Sequence, residues 1–353
     1  MATTRAGFNW RGALFTFLRV AVTLALLYYL YRKVDWINVG HALSAAHLAW
    51  LIPAALGFFA FVLISNWRWK VLLDARGLHF SFGYLLKVYL VASMFNNVLP
   101  TAIGGDVARI AYTVRDQRTA EAFAAALVDR IIGFIGLFFF AFCTSVLIWL
   151  TTRRSLWLVL NLAGFVALVV ITLTLFSDTM HRIVMAIFGR IRILKLGARI
   201  DRLYQAVKGF RTVRWALLWS FLASLGIQFV IALTWFLIAL APPALPPFGR
   251  PPLLYYCLLI PLIGIITMLP SIGGLGLREN SFVGFFTAEW MEQAMSRDQA
   301  AATAVLYLII TIVFAAIGFV VFQTLKRAGA QGVRARPAAV PVAETRVKTQ
   351  GGT

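Results

Sequence analysis

The sequence predicts an all-α polytopic membrane protein with about six full spans plus two re-entrant helical hairpins, the hairpins being candidates for an inverted repeat. Three observations predict it. First, the 353-residue chain is 61% hydrophobic and only 13% charged, with a mean hydropathy of +0.83, whereas soluble domains carry roughly 25% charged residues. Second, the apolar runs are long and continuous, unlike the short alternating segments of a membrane β-barrel. Third, two stretches read as copies: Leu99-Pro100-Thr101-Ala102-Ile103-Gly104-Gly105-Asp106-Val107-Ala108-Arg109 and Leu269-Pro270-Ser271-Ile272-Gly273-Gly274-Leu275-Gly276-Leu277-Arg278-Glu279. Each has Leu-Pro-(Ser/Thr), then Ile-Gly-Gly, then Arg on the fourth residue after the second Gly. Pro removes a backbone donor, and Gly pairs permit backbone angles closed to other residues. In lipid, such breaks survive only where protein buries them or where they line a cavity. Two broken segments at corresponding places in two halves point to a transporter-like site, although turn residues can also recur by chance in ordinary loops.

Taken in order, Arg5 and Arg11 precede a first span, 12–31, which is too long for a signal-peptide core and ends on Arg32. Arg19 within it is read as snorkelling or facing the bundle. The segment 32–47 is short and weakly charged, as an outer loop would be. The second span, 48–66, ends in Asn66-Trp67-Arg68-Trp69-Lys70, an aromatic and basic interface pattern that places this end inside. Arg68 is either an anchor there or a functional residue. The run 84–98 is too short to span, breaks at Leu99-Pro100 and returns through 107–113, as a hairpin entering from the cytoplasmic side. The helix 122–150 opens on Asp129-Arg130. Adjacent helical residues face different ways, so these two sit either at headgroup level or turn inward, towards the Gly-Gly tip. A span over 156–176 follows a turn at Arg153-Arg154 that the topology puts outside, against the positive-inside tendency. The block 178–214 interleaves basic and apolar residues, as a basic amphipathic segment on the cytoplasmic surface. A span over 215–240, a stiff Pro-rich outer segment over 242–252, a second broken pair over 253–286 and a last span over 301–322 complete the membrane domain, residues 1–325. The basic tail, 326–353, is read as disordered and cytoplasmic.

The net charge of +20 comes from 33 Lys and Arg against 13 Asp and Glu. In a soluble protein it would suggest nucleic acid. Here the basic residues lie between and after apolar runs, so the partner is anionic lipid headgroups and not nucleic acid. Cys143 and Cys257 lie in apolar runs, and His41, His47, His79 and His181 are scattered. No metal site, cofactor or disulfide framework is expected. No carboxylate pair stands near a nucleophile, which argues against an enzyme.

The motif residues suggest what the hairpin tips do. A helix starting after a Gly-Gly break points its positive end and free N–H groups at the gap, where phosphate or carboxylate binds. Arg109 and Arg278 add charge-assisted donors, and Asp106 and Glu279 would hold them or receive a cation or proton. Candidate headgroup-binding residues are Arg68, Asn97, Gly104, Gly105, Asp106, Arg109, Asp129, Arg130, Gly273, Gly274, Arg278 and Glu279.

At Arg68-Trp69 with Leu72-Leu73, Asn97-x-x-Pro100, Gly104-Gly105-Asp106-x-x-Arg109, Asp129-Arg130 and Pro270 through Gly273-Gly274-x-Gly276-x-Arg278-Glu279, the chain resembles the transmembrane region of lysylphosphatidylglycerol synthases, a family that includes stand-alone flippase-like proteins. The resemblance runs to about Lys326. It implies movement of aminoacylated phospholipid between leaflets, with Arg68, Asp106, Arg109, Asp129, Arg130, Arg278 and Glu279 lining or bracing the lipid path. Asp129 departs from the Glu that the family often has there. Full-length synthases carry a soluble aminoacyl-transfer domain after the membrane part, where this sequence has a basic tail, so synthesis of the lipid is not expected. The function implied is a flippase-like transporter of a phospholipid or polyprenyl-phosphate lipid in the bacterial inner membrane, both termini cytoplasmic. The alternatives are a non-transporting lipid-binding partner of a separately encoded enzyme, or a small-anion transporter.

Overall fold

A computed structural model describes residues 10–98, 104–114, 118–153, 155–175, 204–243, 248–269, 271–291 and 294–334. Among them the regular elements are all helical, and the chain is a polytopic membrane protein. The helices are α1 (Trp10–Lys33), α2 (Trp36–Ser44), α3 (Leu51–Asp74), α4 (Phe82–Val98), α5 (Gly104–Thr113), α6 (Thr119–Thr152), α7 (Leu156–Leu175), α8 (Arg214–Ala239), α9 (Leu253–Ile266), α10 (Leu277–Phe286) and α11 (Arg297–Arg334).

Four stretches are long and apolar enough to cross a membrane: Leu48–Asp74, Thr119–Thr152, Arg214–Ala239 and Arg297–Leu325. With 24 and 20 residues, α1 and α7 reach about 36 and 30 Å at the α-helical rise, enough for a hydrocarbon core of about 30 Å. The broken pairs are shorter. α4 packs along α5, and α9 along α10. In the first pair the Tyr84 hydroxyl also donates to the Tyr112 carbonyl at 2.9 Å.

The two halves repeat one pairing scheme. Exchanging α3, α4, α5 and α6 for α8, α9, α10 and α11 reproduces most of the pairings: α3–α4 becomes α8–α9, α5–α6 becomes α10–α11, α3–α6 becomes α8–α11, and α6–α9 becomes α11–α4, whereas the packing of α6 on α8 has no counterpart of like extent between α11 and α3. The seam is α3 against α8. Trp67 meets Trp219 edge-on and Gly57 meets Thr234, so these helices run antiparallel, as an inverted repeat requires.

Small residues let the helices approach, the usual basis of helix association in lipid. A Cβ on Gly136 of α6 would lie 2.5 Å from the Ser224 Cβ of α8. Gly136→Leu is therefore expected to lower stability in detergent by about 1–3 kcal/mol through overpacking. Gly40→Ala, which meets nothing within 4 Å, should not lower it; chemical unfolding in mixed micelles compares the two.

Several boundaries differ from the sequence expectation. The presumed outer loop 32–47 contains α2, which Asp35 caps by accepting from the Ile37 and Asn38 N–H groups. Its Val39 and Ala42 are buried in one apolar core with residues of α8, α9, α10 and α11; Asp followed by spaced apolar residues is a helix-start signal. α3 does not stop at Asn66 but carries Arg68 and Trp69 into the protein. Residues 178–203 of the basic block lie outside the described residues. The part after them is helical over 204–208 and enters a second core, where Ala206, Val207 and Phe210 pack with Trp69, Leu72, Leu73 and the start of α6. Residues 326–334 of the presumed disordered tail continue α11, because Ala, Gln, Lys and Arg there are helix formers; 335–353 lie outside the described residues.

Candidate functional site

The first hairpin is held by a chain of buried and half-buried charges. Asp129 and Arg130, adjacent on α6, face different partners, as the roughly 100° between successive helical residues dictates. Asp129 accepts from Arg68 Nε of α3 at 2.8 Å and from Arg109 Nη2 of α5 at 3.1 Å. Asp106, in the first turn of α5 where a carboxylate suits the helix dipole, accepts from Arg130 Nε and pairs with Arg109 Nη1 at 3.5 Å. Arg68 Nη1 also donates to Ser224 Oγ of α8 at 2.8 Å. The Arg109 guanidinium lies 4.3 Å from the ring centroid of Trp69 and 5.4 Å from that of Tyr89. Asp129 and Arg109 are buried, at 2% and 8% exposure. Room for Arg68 comes from Gly133, where a Cβ would stand 3.3 Å from its Nη1.

At the Gly104-Gly105 pair, the Gly105 donor is not left free, as the sequence suggests it should be. The Gly105 N–H donates to Asn96 Oδ1 at 2.8 Å, and a Cβ there would stand 2.6 Å from the Ala92 carbonyl. This glycine lets α5 lie against α4. Asn97, the predicted amide, turns back to its own helix and donates to the Ser93 carbonyl. Residues 99–103, with Pro100, are outside the described residues.

The second hairpin is simpler. Glu279 Oε1 accepts from Arg278 Nε at 3.0 Å and Nη2 at 2.8 Å, and Oε2 accepts from the Gly276 N–H at 2.7 Å. The N-terminus of α10 is thus capped by its own carboxylate. Arg278 lies 5.0 Å from the Tyr307 centroid, and Tyr307 stacks on Trp235 at 4.0 Å. The turn carries φ of +57°, +78° and +78° at Gly273, Gly274 and Gly276, a region that favours glycine. α1 braces it: Thr23 Oγ1 accepts from the Ile272 N–H, and Asn280 Nδ2 donates to the Leu26 carbonyl.

The two hairpins meet. A Cβ on Gly273 would stand 3.1 Å from the Asn97 carbonyl and 3.2 Å from the Asn96 carbonyl. Beside this contact lies a cavity of about 460 Å³. Its polar wall is Asn96, Arg130, Gln228, Thr267, Ser271 and Arg278, and its apolar wall includes Phe61, Leu137 and Ile260. Of the sequence-predicted residues, Arg130, Gly273, Gly274 and Arg278 line it. Arg68, Asp106, Arg109, Asp129 and Glu279 stand behind as the charges that hold those residues, and Gly104, Gly105 and Asn97 shape the packing of α4. Asn96, Gln228, Ser271 and Tyr307 were not singled out from sequence. Only Ser271 carried a signal, as the hydroxyl position of the Leu-Pro-(Ser/Thr) copy.

Fold and site together define a helical membrane protein built around two broken hairpins that share a cavity with two arginines on one wall and apolar side chains on the other. The chain belongs to the family described as the lysylphosphatidylglycerol synthase TM region, whose model matches residues 16–318. It is also similar to a UPF0104 membrane protein of Methanothermobacter thermautotrophicus, 26% identical over 307 residues, covering 79% of this chain and 84% of the relative.

Proposed function

We propose that the protein is a flippase-like transporter, not an enzyme, that moves a phospholipid or polyprenyl-phosphate-type lipid between the leaflets of the bacterial inner membrane. The observation that carries this reading is the cavity beside the meeting point of the two broken hairpins, polar on one wall and apolar on the other. A headgroup needs the polar wall, and the tails stay among apolar helices. Sites between discontinuous helices of paired halves are a recurring transporter design. The repeated pairing of α3–α6 and α8–α11 supplies two bodies that can rock about the α3–α8 seam.

The test is lipid flipping by the full chain in vesicles. Wild type is expected to expose fluorescent phospholipid to an external quencher faster than protein-free vesicles, and Arg109→Ala/Arg278→Ala to lose most of that rate. A rate unchanged in the double variant removes this site from transport, and a wild-type rate equal to that of empty vesicles removes the activity.

The orientation proposed, both termini cytoplasmic, rests on the basic block before α8 and the basic stretch after residue 325. A C-terminal fluorescent-protein fusion is expected to fluoresce, and a C-terminal alkaline phosphatase fusion to be inactive; the reverse pattern inverts the topology.

A further inference from the structure

We infer that the cavity is an anion site seated on the second hairpin, built for a phosphate group without an attached ammonium, and that Ser271 and Arg278 grip it. The inference rests on the transport reading only for the lipid tail; the anion site itself stands on four observations.

The first is the sign of the lining. Arg130 and Arg278 line the cavity, and no carboxylate does so among the described residues. The nearby carboxylates are spoken for. Asp106 uses Oδ1 for Arg109 and Oδ2 for Arg130; Glu279 uses Oε1 for Arg278 and Oε2 for the Gly276 N–H. An aminoacyl headgroup would bring its ammonium charges against the guanidinium sides of two ion pairs whose carboxylates do not line the cavity. Like charges in an apolar-walled site repel more strongly than in water.

The second is the supply of donors. Arg278 spends Nε and Nη2 on Glu279, which leaves Nη1 for a ligand. Ser271 is 5% exposed, lines the same cavity, and its Oγ has no hydrogen-bond partner among the described residues. Buried hydroxyls normally have a partner. The hydroxyl is turned away from the open space, and a change of the χ1 rotamer would bring it to a phosphate oxygen in the cavity, which would supply one.

The third is backbone shape. The φ of +57° and +78° at Gly273 and Gly274 curves the turn along one side of the cavity, and Asn96 and Gln228 bring further N–H donors to its wall. The fourth is the contrast between hairpins. Arg109 is sandwiched between Asp106, Asp129 and Trp69 and does not reach the cavity. The first hairpin thus keeps its arginine away from the cavity, while in the second Arg278, paired with Glu279 through Nε and Nη2, still lines it.

The test titrates the full chain in a non-ionic detergent with short-chain phosphatidate, short-chain phosphatidylglycerol, lysyl-phosphatidylglycerol and inorganic phosphate, read by native mass spectrometry. Phosphatidate and phosphatidylglycerol are expected to bind at least about tenfold more tightly than the lysyl lipid, the effect of one unfavourable charge contact of about 1.4 kcal/mol. Ser271→Ala, which breaks no hydrogen bond among the described residues, is expected to weaken them about tenfold or more, as loss of a hydrogen bond to a charged group does. Ser271→Asp should reverse the order in favour of the lysyl lipid. Displacement by millimolar inorganic phosphate identifies a soluble anion as ligand; resistance to it identifies a lipid. Equal or tighter binding of the lysyl lipid to wild type, or Ser271→Ala binding like wild type, overturns the inference. Selective anion binding without flipping leaves the site and removes transport. Flipping with binding blind to headgroup charge does the opposite.

Discussion

Asp129→Asn is expected to destabilise the folded chain by about 3–5 kcal/mol, the usual cost of removing one partner from a buried ion pair. The side chain keeps its shape, but Arg68 and Arg109 lose their shared counter-charge. Both guanidiniums sit in low-exposure sites, with side-chain exposures of 13% and 9%, so water cannot replace it. The loss should appear in chemical unfolding in mixed micelles and as a drop in folded yield. Lys70–Asp74 gives the contrast. That pair is about one-third exposed on each side, and such pairs contribute about 0–1 kcal/mol, so Asp74→Asn should move stability by no more than that. Asp129→Asn combined with Arg109→Gln should cost less than the sum of the two, because the second change removes a cation that the first left unpaired. Strict additivity would show that the two residues do not act as a pair.

On the transport reading proposed above, Gly273→Val is expected to cut lipid flipping more than tenfold while leaving most of the protein folded. Two costs act at one atom. The φ of +57° is left-handed backbone, which costs a non-glycine residue about 1–2 kcal/mol. The new side chain would also stand at the Asn96 and Asn97 carbonyls of α4, so the hairpins could keep their contact only by moving the turn that borders the cavity. Gly284, later in the same hairpin, meets nothing within 4 Å, and Gly284→Ala should flip lipid like wild type. Equal activity of both variants would show that the meeting of the hairpins is not needed for transport.

Much of the fold is legible in the sequence because lipid imposes a one-dimensional rule. Each spanning segment must satisfy its own backbone and be apolar over about 20 residues, and both requirements are read along the chain. The two breaks were legible for the same reason: Gly and Pro in an apolar run contradict that rule. Asp129 and Arg130 could be marked as a pair of unusual intramembrane charges. Their partners could not, since Arg68 reaches Asp129 across 61 positions and Ser224 across 156. Such pairings depend on how each helix is rotated. Asn96 and Asn97 make the point at its smallest scale: one step along the helix turns the amide by about 100°, so that one holds Gly105 and lines the cavity while the other bonds to its own helix.

The sequence by itself determined the class of protein, the long helices, the two broken hairpins and the arginines that follow each glycine pair. Tertiary structure alone decided that the hairpins meet at Gly273, that Asp106 and Asp129 neutralise Arg109 in the first while Arg278 faces a cavity in the second, and that the Ser271 hydroxyl beside it has no hydrogen-bond partner among the described residues. The division follows from the range of the forces. Burial in lipid selects residues segment by segment, whereas charge pairing and close approach of backbones act between segments that only packing brings together.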